Sequence, residues 1–138
     1  METELSIQQV AQQTGLSIDT LRYYERIGLI EPVHRAASGH RRYSQTDLNW
    51  IALLIDLRET GMPLARMIHF AQLRRQGAAT AAERLLILEE HQQFLEQQIQ
   101  KLERHKAALQ QKIAHKKAFL AENESIAETE RGSIYGTE

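Results

Sequence analysis

Between Leu21 and Arg42 the chain places five arginines, Arg22, Arg26, Arg35, Arg41 and Arg42, against two glutamates, Glu25 and Glu31, a local net charge of +3 before His34 and His40 are counted. All nine basic residues before Gly77 are Arg, whereas five of the eight after it are Lys. A guanidinium is a planar fork of donors that meets a phosphate, or the edge of a guanine, with two parallel hydrogen bonds, so a surface built from Arg suits the reading of a polyanion. A charge cluster by itself is more often a solvated face. These arginines gain meaning from the elements that have to carry them.

The first two elements are marked by their punctuation. Ser6-Ile7-Gln8-Gln9 has the S-x-x-Q form of a capping box, with Leu5 and Val10 placed to close a hydrophobic staple, so a helix is predicted from Ile7 to a stop at Gly15. Ser17 repeats the device, with Leu16 and Leu21 as its staple pair, and a second helix is predicted to about Ile27, ended by Gly28. The small Ala11 lets two helices cross closely, which is helix-turn-helix grammar. The expected exposed face of the second helix carries Ser17, Thr20, Arg22, Tyr24 and Arg26, groups that suit a groove and its phosphates. Any small helical hairpin would show much of the same pattern.

The stretch from Leu29 to Tyr43 reads as two short extended runs around the Ser38-Gly39 turn, a wing edged by Arg35, Arg41 and Arg42 that could lie along a phosphate strand. Ser44 then caps a third helix that lasts until Thr60-Gly61. Pro63 is expected at the first position of a fourth helix, which closes at Leu73-Arg74-Arg75-Gln76-Gly77. Trp50 is assigned to the core.

From about Thr80 to Glu122 there is neither Pro nor Gly, enough for a helix of about 64 Å at about 1.5 Å per residue. Leu88, Leu95, Leu102 and Leu109 recur every seven residues as d positions, and Leu85, Ile99, Ile113 and Leu120 fall on the a positions of the same register. Gln92, Lys106 and Lys116 interrupt the strip. A long apolar seam on one helix has to be covered, and the same helix of a second copy is the simplest cover, which predicts a homodimer. The heptad alone leaves parallel and antiparallel open. Residues 123–138 are polar, acidic and Gly-containing and are expected to be disordered.

Composition narrows the classes further. With 138 residues the chain is bounded at one domain plus one extended element, and its mean net charge of −1 conceals the basic segment. There are no cysteines, hence no disulfide, no thiolate metal site and no thiol nucleophile. No run approaches the roughly 18 apolar residues of a membrane span, and Glu2 and Glu4 stand where an export signal would be basic, so a cytoplasmic location and no membrane partner are expected. His91, His105 and His115 on the long helix lack an i, i+4 or Glu-x-x-His spacing and read as solvated side chains. No Gly-rich phosphate loop or nucleophile elbow occurs, and neither a cofactor nor a metal is expected. A coiled-coil adaptor would account for the heptads alone, and a small metal enzyme only for the His and Glu content.

The run Leu21-Arg22-Tyr23-Tyr24-Glu25-Arg26-Ile27-Gly28-Leu29-Ile30, followed by Gly39-His40-Arg41-Arg42-Tyr43, resembles the signature of MerR-family transcriptional regulators. The resemblance covers residues 5–76 as a winged helix-turn-helix DNA-binding head, and the order of the later elements fits a dimerisation helix over residues 80–122. It implies a mainly α fold and an antiparallel coiled-coil homodimer on a pseudo-palindromic promoter whose spacer is overlong. Bending and untwisting that spacer would present both promoter elements to RNA polymerase, an indirect partner. By position, Arg22 and Tyr24, with Tyr23 beside them, would contact bases or backbone, Arg41 and Tyr43 would hold phosphates, and Arg58 would reach the backbone. The residue after the wing glycine, often Tyr in that family, is His40 here. Metal- and electrophile-sensing members use cysteines, which this chain lacks, and drug-sensing members carry a large ligand domain, for which the 16 residues after Glu122 leave no room. The run from Leu73 to Gly77 leading into Glu89-Glu90-His91 is similar to the aldehyde- and stress-responsive branch. The inducer is left open.

Overall fold

The computed structural model describes residues 4–31, 36, 37, 39 and 42–135. Five α-helices follow one another: α1 (Ile7–Thr14), α2 (Ile18–Arg26), α3 (Gln45–Glu59), α4 (Leu64–Arg75) and α5 (Ala81–Tyr135), with a 3-10 turn at Gly77–Thr80 before the last. Met1–Gln92 forms one compact unit and Gln93–Glu138 a second, so α5 contributes residues to both.

Local chemistry sets the first boundaries. Ser6 accepts from the Gln9 amide while the Gln9 side chain accepts from the Ser6 amide at 2.8 Å, a closed capping box. Gly15 ends α1 in the left-handed region at φ 77°, where a side chain would clash with the backbone, and its amide donates to Ala11. Ser17 then accepts from Thr20 N at 3.0 Å to open α2. Ser44 and Asp47 form a second capping box at α3.

The core of the first unit lies between these helices. Val10 of α1, Leu21 of α2, Ile51 and Leu54 of α3 and Met67 of α4 are buried, with Leu29 from the turn after α2. Trp50 of α3 stacks on Phe70 of α4, centroids 5.6 Å apart and planes 9° from parallel. Burial of this apolar surface, at about 25 cal/mol per Å², is the main force that packs α1 against α2 and α3, and α3 against α4.

Three details differ from the sequence-based expectations, and the expected wing falls mostly outside the described residues. The fourth helix begins at Leu64, with Pro63 as its cap rather than its first residue: Pro63 is extended at ψ 144°, and its carbonyl accepts from Arg66 and Met67. At the end of the expected wing, Tyr43 pairs with Leu5 through two backbone hydrogen bonds of 2.8 Å. Residues 32–35, 38, 40 and 41, which contain most of that wing, lie outside the described residues. The last helix runs to Tyr135 rather than ending at Glu122, so residues 123–135, expected to be disordered, are helical, and residues 136–138 lie outside the described residues. Acidic, Ala-containing sequence without proline is also what an exposed helix is made of, so polarity alone could not separate the two states. His91, expected in solvent, is buried and joins its Nε2 to Thr60 Oγ1 at 2.7 Å. The Thr60 hydroxyl already donates to the Asp56 carbonyl, so the imidazole is the donor and carries its proton on Nε2.

Along α5, Leu85, Ile99, Leu102, Leu109, Ile113 and Leu120 are exposed, Leu102 by 67%. Leu88 and Leu95 are half-buried.

Candidate nucleic-acid interface

The surface of α2 is built outward from its buried stripe. Leu21 and Tyr24, three residues apart on one side of the helix, are buried. That turns Arg22, Tyr23 and Arg26 outward. Tyr23 is 41% exposed, and the Arg26 guanidinium sits 5.6 Å from its ring centroid, a cation–π pair that presents an aromatic face and a charge together. Arg22 makes no ion pair among the described residues. Ser17 and half-buried Thr20 stand at the amino end, their hydroxyls joined at 2.8 Å. The face therefore offers hydroxyls, a guanidinium pair and an aromatic edge within three turns. Groups of these types are suited to base edges and phosphates.

Two of the sequence-predicted contacts occupy different places. Tyr24, expected on the exposed face, is a core residue at 5% exposure because it shares the helical stripe of Leu21; its phenol oxygen accepts from Arg58 Nη1 at 2.6 Å. Tyr43, expected at the phosphates, is fully buried where its backbone joins Leu5. Arg42 is half-buried, and Arg35, His40 and Arg41 lie outside the described residues. Arg58 remains partly exposed in the last turn of α3, between Tyr24 and Glu59, whose carboxylate is 3.2 Å away. The hydrogen bond to Glu59, with a smaller one to Tyr24, outweighs desolvation and raises the Arg58 pKa further, so its charge is permanent.

Sequence reasoning missed the residues that hold the far end of α2. The amides of Leu29 and Ile30 both return to the Tyr24 carbonyl, at 2.9 and 3.2 Å, which closes the helix. The next two carbonyls each take a donor from another helix. Trp50 Nε1 of α3 donates to Leu29 O at 2.7 Å. Arg75 Nη2 of α4 donates to Gly28 O, and its Nε lies 3.6 Å from the Glu31 carboxylate. Arg74 stacks on the Trp50 ring at 4.5 Å. The Arg-only usage before Gly77 was the one available signal for Arg74 and Arg75; their partners are distant in the chain and left no local pattern.

No cluster of His, Asp and Glu that could hold a metal ion occurs among the described residues. No helix among the described residues is long and apolar enough to cross a membrane.

The description "MerR family regulatory protein" matches residues 6–43, and "MerR, DNA binding" matches residues 48–112. The chain is 42% identical over 91 residues to the HTH-type transcriptional regulator AdhR of Bacillus subtilis, a match covering 66% of this chain and 65% of that one. It is 38% identical over 104 residues to an HTH-type transcriptional regulator of Haemophilus influenzae, covering 75% of this chain and 77% of the relative. Among solved structures, a MerR family transcriptional regulator from Listeria monocytogenes superimposes with a TM-score of 0.74 at 36% identity, covering 79% of this chain and 83% of that one. HiNmlR, described as a MerR family regulator lacking the sensor domain, bound to promoter DNA, does so with a TM-score of 0.75 at 35% identity over 81% and 89% of the two chains.

Proposed function

Because this chain belongs to the MerR family of regulatory proteins, we propose that it acts as an antiparallel homodimer that holds two α2 helices against one promoter and regulates by bending and untwisting the duplex between them. It is a DNA-binding transcriptional regulator and not an enzyme.

The observation that carries the reading is the outward face of α2, with Arg22, Tyr23 and Arg26 turned out by the burial of Leu21 and Tyr24. Arg22 is the base reader in this scheme, Ser17 and Thr20 the amino-terminal contacts, and Arg58 a backbone contact steadied by Tyr24. Arg35, His40, Arg41 and Arg42 supply the flanking phosphate contacts.

The exposed strip from Leu85 to Leu120 supports dimerisation, and charge supports the antiparallel sense. Residues 83–96 carry Glu83, Glu89, Glu90 and Glu96 against Arg84, whereas residues 101–117 carry six cations against Glu103. A parallel pair would lay acid on acid and base on base; an antiparallel pair brings the acidic stretch of one copy to the basic stretch of the other. Bending the promoter so that RNA polymerase meets both of its elements is the indirect contact with the transcription machinery. The relatives' names and the DNA-bound neighbour support the reading as far as promoter binding.

The test combines mass and footprint. Light scattering should give twice the chain mass, and nuclease protection of a duplex selected by the protein from a random-sequence pool should show two half-sites. Circularly permuted fragments of that duplex should show bending on binding. A monomer, a single half-site, or an undistorted duplex would overturn the proposal.

A further inference from the structure

We infer that Arg75 is a positioning residue for DNA reading: from the last turn of α4 it fixes the point at which the chain leaves α2, without itself touching the duplex. The inference rests on α2 being the recognition helix, and goes beyond it by assigning a role to a helix that carries none of the reading groups.

The geometry of the exit is the argument. After Arg26 the chain turns through Gly28 at φ +88°, a conformation that side chains resist. Space is no obstacle there, since an added Cβ would lie 3.7 Å from the Arg75 guanidinium, an ordinary contact; the backbone angle is what requires glycine. A turn of this kind has no internal hydrogen bond for the carbonyls that follow it. Those of Gly28 and Leu29 are taken up by Arg75 and Trp50, from two different helices. Arg75 spans the turn, with Nη2 on the Gly28 carbonyl and Nε toward Glu31. An arginine near a basic surface invites assignment as a phosphate contact. This one has its donors directed at a carbonyl and a carboxylate of its own chain, a charge-assisted pair that is geometrically more specific than a lysine could supply. Beside it, Arg74 lies on Trp50, so the two adjacent arginines of α4 brace the exit through separate partners.

The position of Gly28 and Glu31 matters because they join the arginines of α2 to Arg35, Arg41 and Arg42 further along the chain. If the exit shifts, Arg22 and the arginines beyond Glu31 no longer reach one duplex in the same register.

Arg75→Ala and Arg75→Lys in the full chain provide the test, with affinity measured by fluorescence anisotropy across a salt series. The probes are a duplex selected by the unaltered protein from a random-sequence pool and an unselected duplex. Both variants should lose about tenfold in affinity for the selected duplex, the scale of a charged hydrogen bond. They should bind the unselected duplex as before, with an unchanged salt slope. Arg75→Lys behaving like the parent while Arg75→Ala lowers the slope by about 1 would make Arg75 a phosphate contact and overturn the inference. Equal affinities for all three proteins would overturn it too. If Arg75→Ala loses its cooperative thermal transition, Glu31→Gln carries the test, with a smaller loss confined to the selected duplex expected and no loss fatal. Arg22→Ala serves as the control: if it leaves base preference intact, the recognition-helix reading falls and this one with it. A normal Arg22 response beside an indifferent Arg75 sinks only the present inference.

Discussion

Arg58 in the last turn of α3 donates from Nη1 to the phenol oxygen of Tyr24 in α2 at 2.6 Å, across 34 residues of chain. The contact ties a charged group of α3 to the buried side of α2, the proposed recognition helix. Tyr24→Phe should therefore act through Arg58. In a double-mutant cycle with Arg58→Ala, read as DNA affinity, the two changes should be non-additive by about 0.5–1 kcal/mol. Additive effects would mean that Tyr24 and Arg58 meet the duplex independently.

Trp50 provides a second link from the core to the exit of α2, because its indole N–H satisfies the Leu29 carbonyl while its ring stacks on Phe70 and carries the Arg74 guanidinium. Trp50→Phe keeps an aromatic ring and removes the donor. Chemical denaturation should show a loss of about 1–3 kcal/mol, the cost of a buried acceptor left without its partner. A change below about 0.5 kcal/mol would mean that water replaces the indole without penalty.

The outer arginines should separate by role. Arg22→Ala is expected to relax base preference at one position of each half-site. Arg41→Ala is expected to weaken binding to all sequences and to lower the salt slope by about 1. Selection from random pools, together with affinities at several ionic strengths, distinguishes the two; identical behaviour would refute the division.

His91 makes stability depend on pH. Burial, reinforced by the neighbouring Arg66 charge, holds its pKa below the ordinary value of 6.5. The unfolded chain therefore takes up this proton first on acidification. The contribution is complete above about pH 6.5 and disappears as pH falls through the lower folded-state value. Urea midpoints followed from about pH 8 to pH 5 should fall at the acidic end, and less so in His91→Gln. Parallel curves for the two proteins would remove His91 from the account.

Leu102 is the most exposed of the heptad residues on α5. Leu102→Glu, with Ile99→Glu if one charge is tolerated, should shift the light-scattering mass to that of one chain and abolish protection of paired half-sites. A dimer that survives both changes would place the seam elsewhere on the helix.

Much of the architecture was legible because its signals are local. Ser6, Gly15, Ser17 and Ser44 each set an element boundary through contacts within three or four residues, and these boundaries were readable from spacing alone. Tyr24 shows where that reading slipped: its spacing of three from Leu21 places it on the buried stripe, yet a polar aromatic in a basic helix suggested a contact. Tyr43 differs: only the family resemblance assigns it a phosphate, whereas its place beside the cap at Ser44 is that of a buried staple residue. Arg75 and His91 were beyond reach for another reason. Their partners, Gly28 and Thr60, lie 47 and 31 residues away, and no periodicity records a pairing made only by tertiary packing.

The two backbone hydrogen bonds between Leu5 and Tyr43 also bear on how such a protein can change over generations. The proposed base-reading residues lie between those two, and a capped helix starts immediately after each. A foreign segment of equal span could be grafted at this seam and inherit the same scaffold, provided it restores a carbonyl for Trp50 and another for Arg75. Target choice can then drift while the assembly that positions it stays constant.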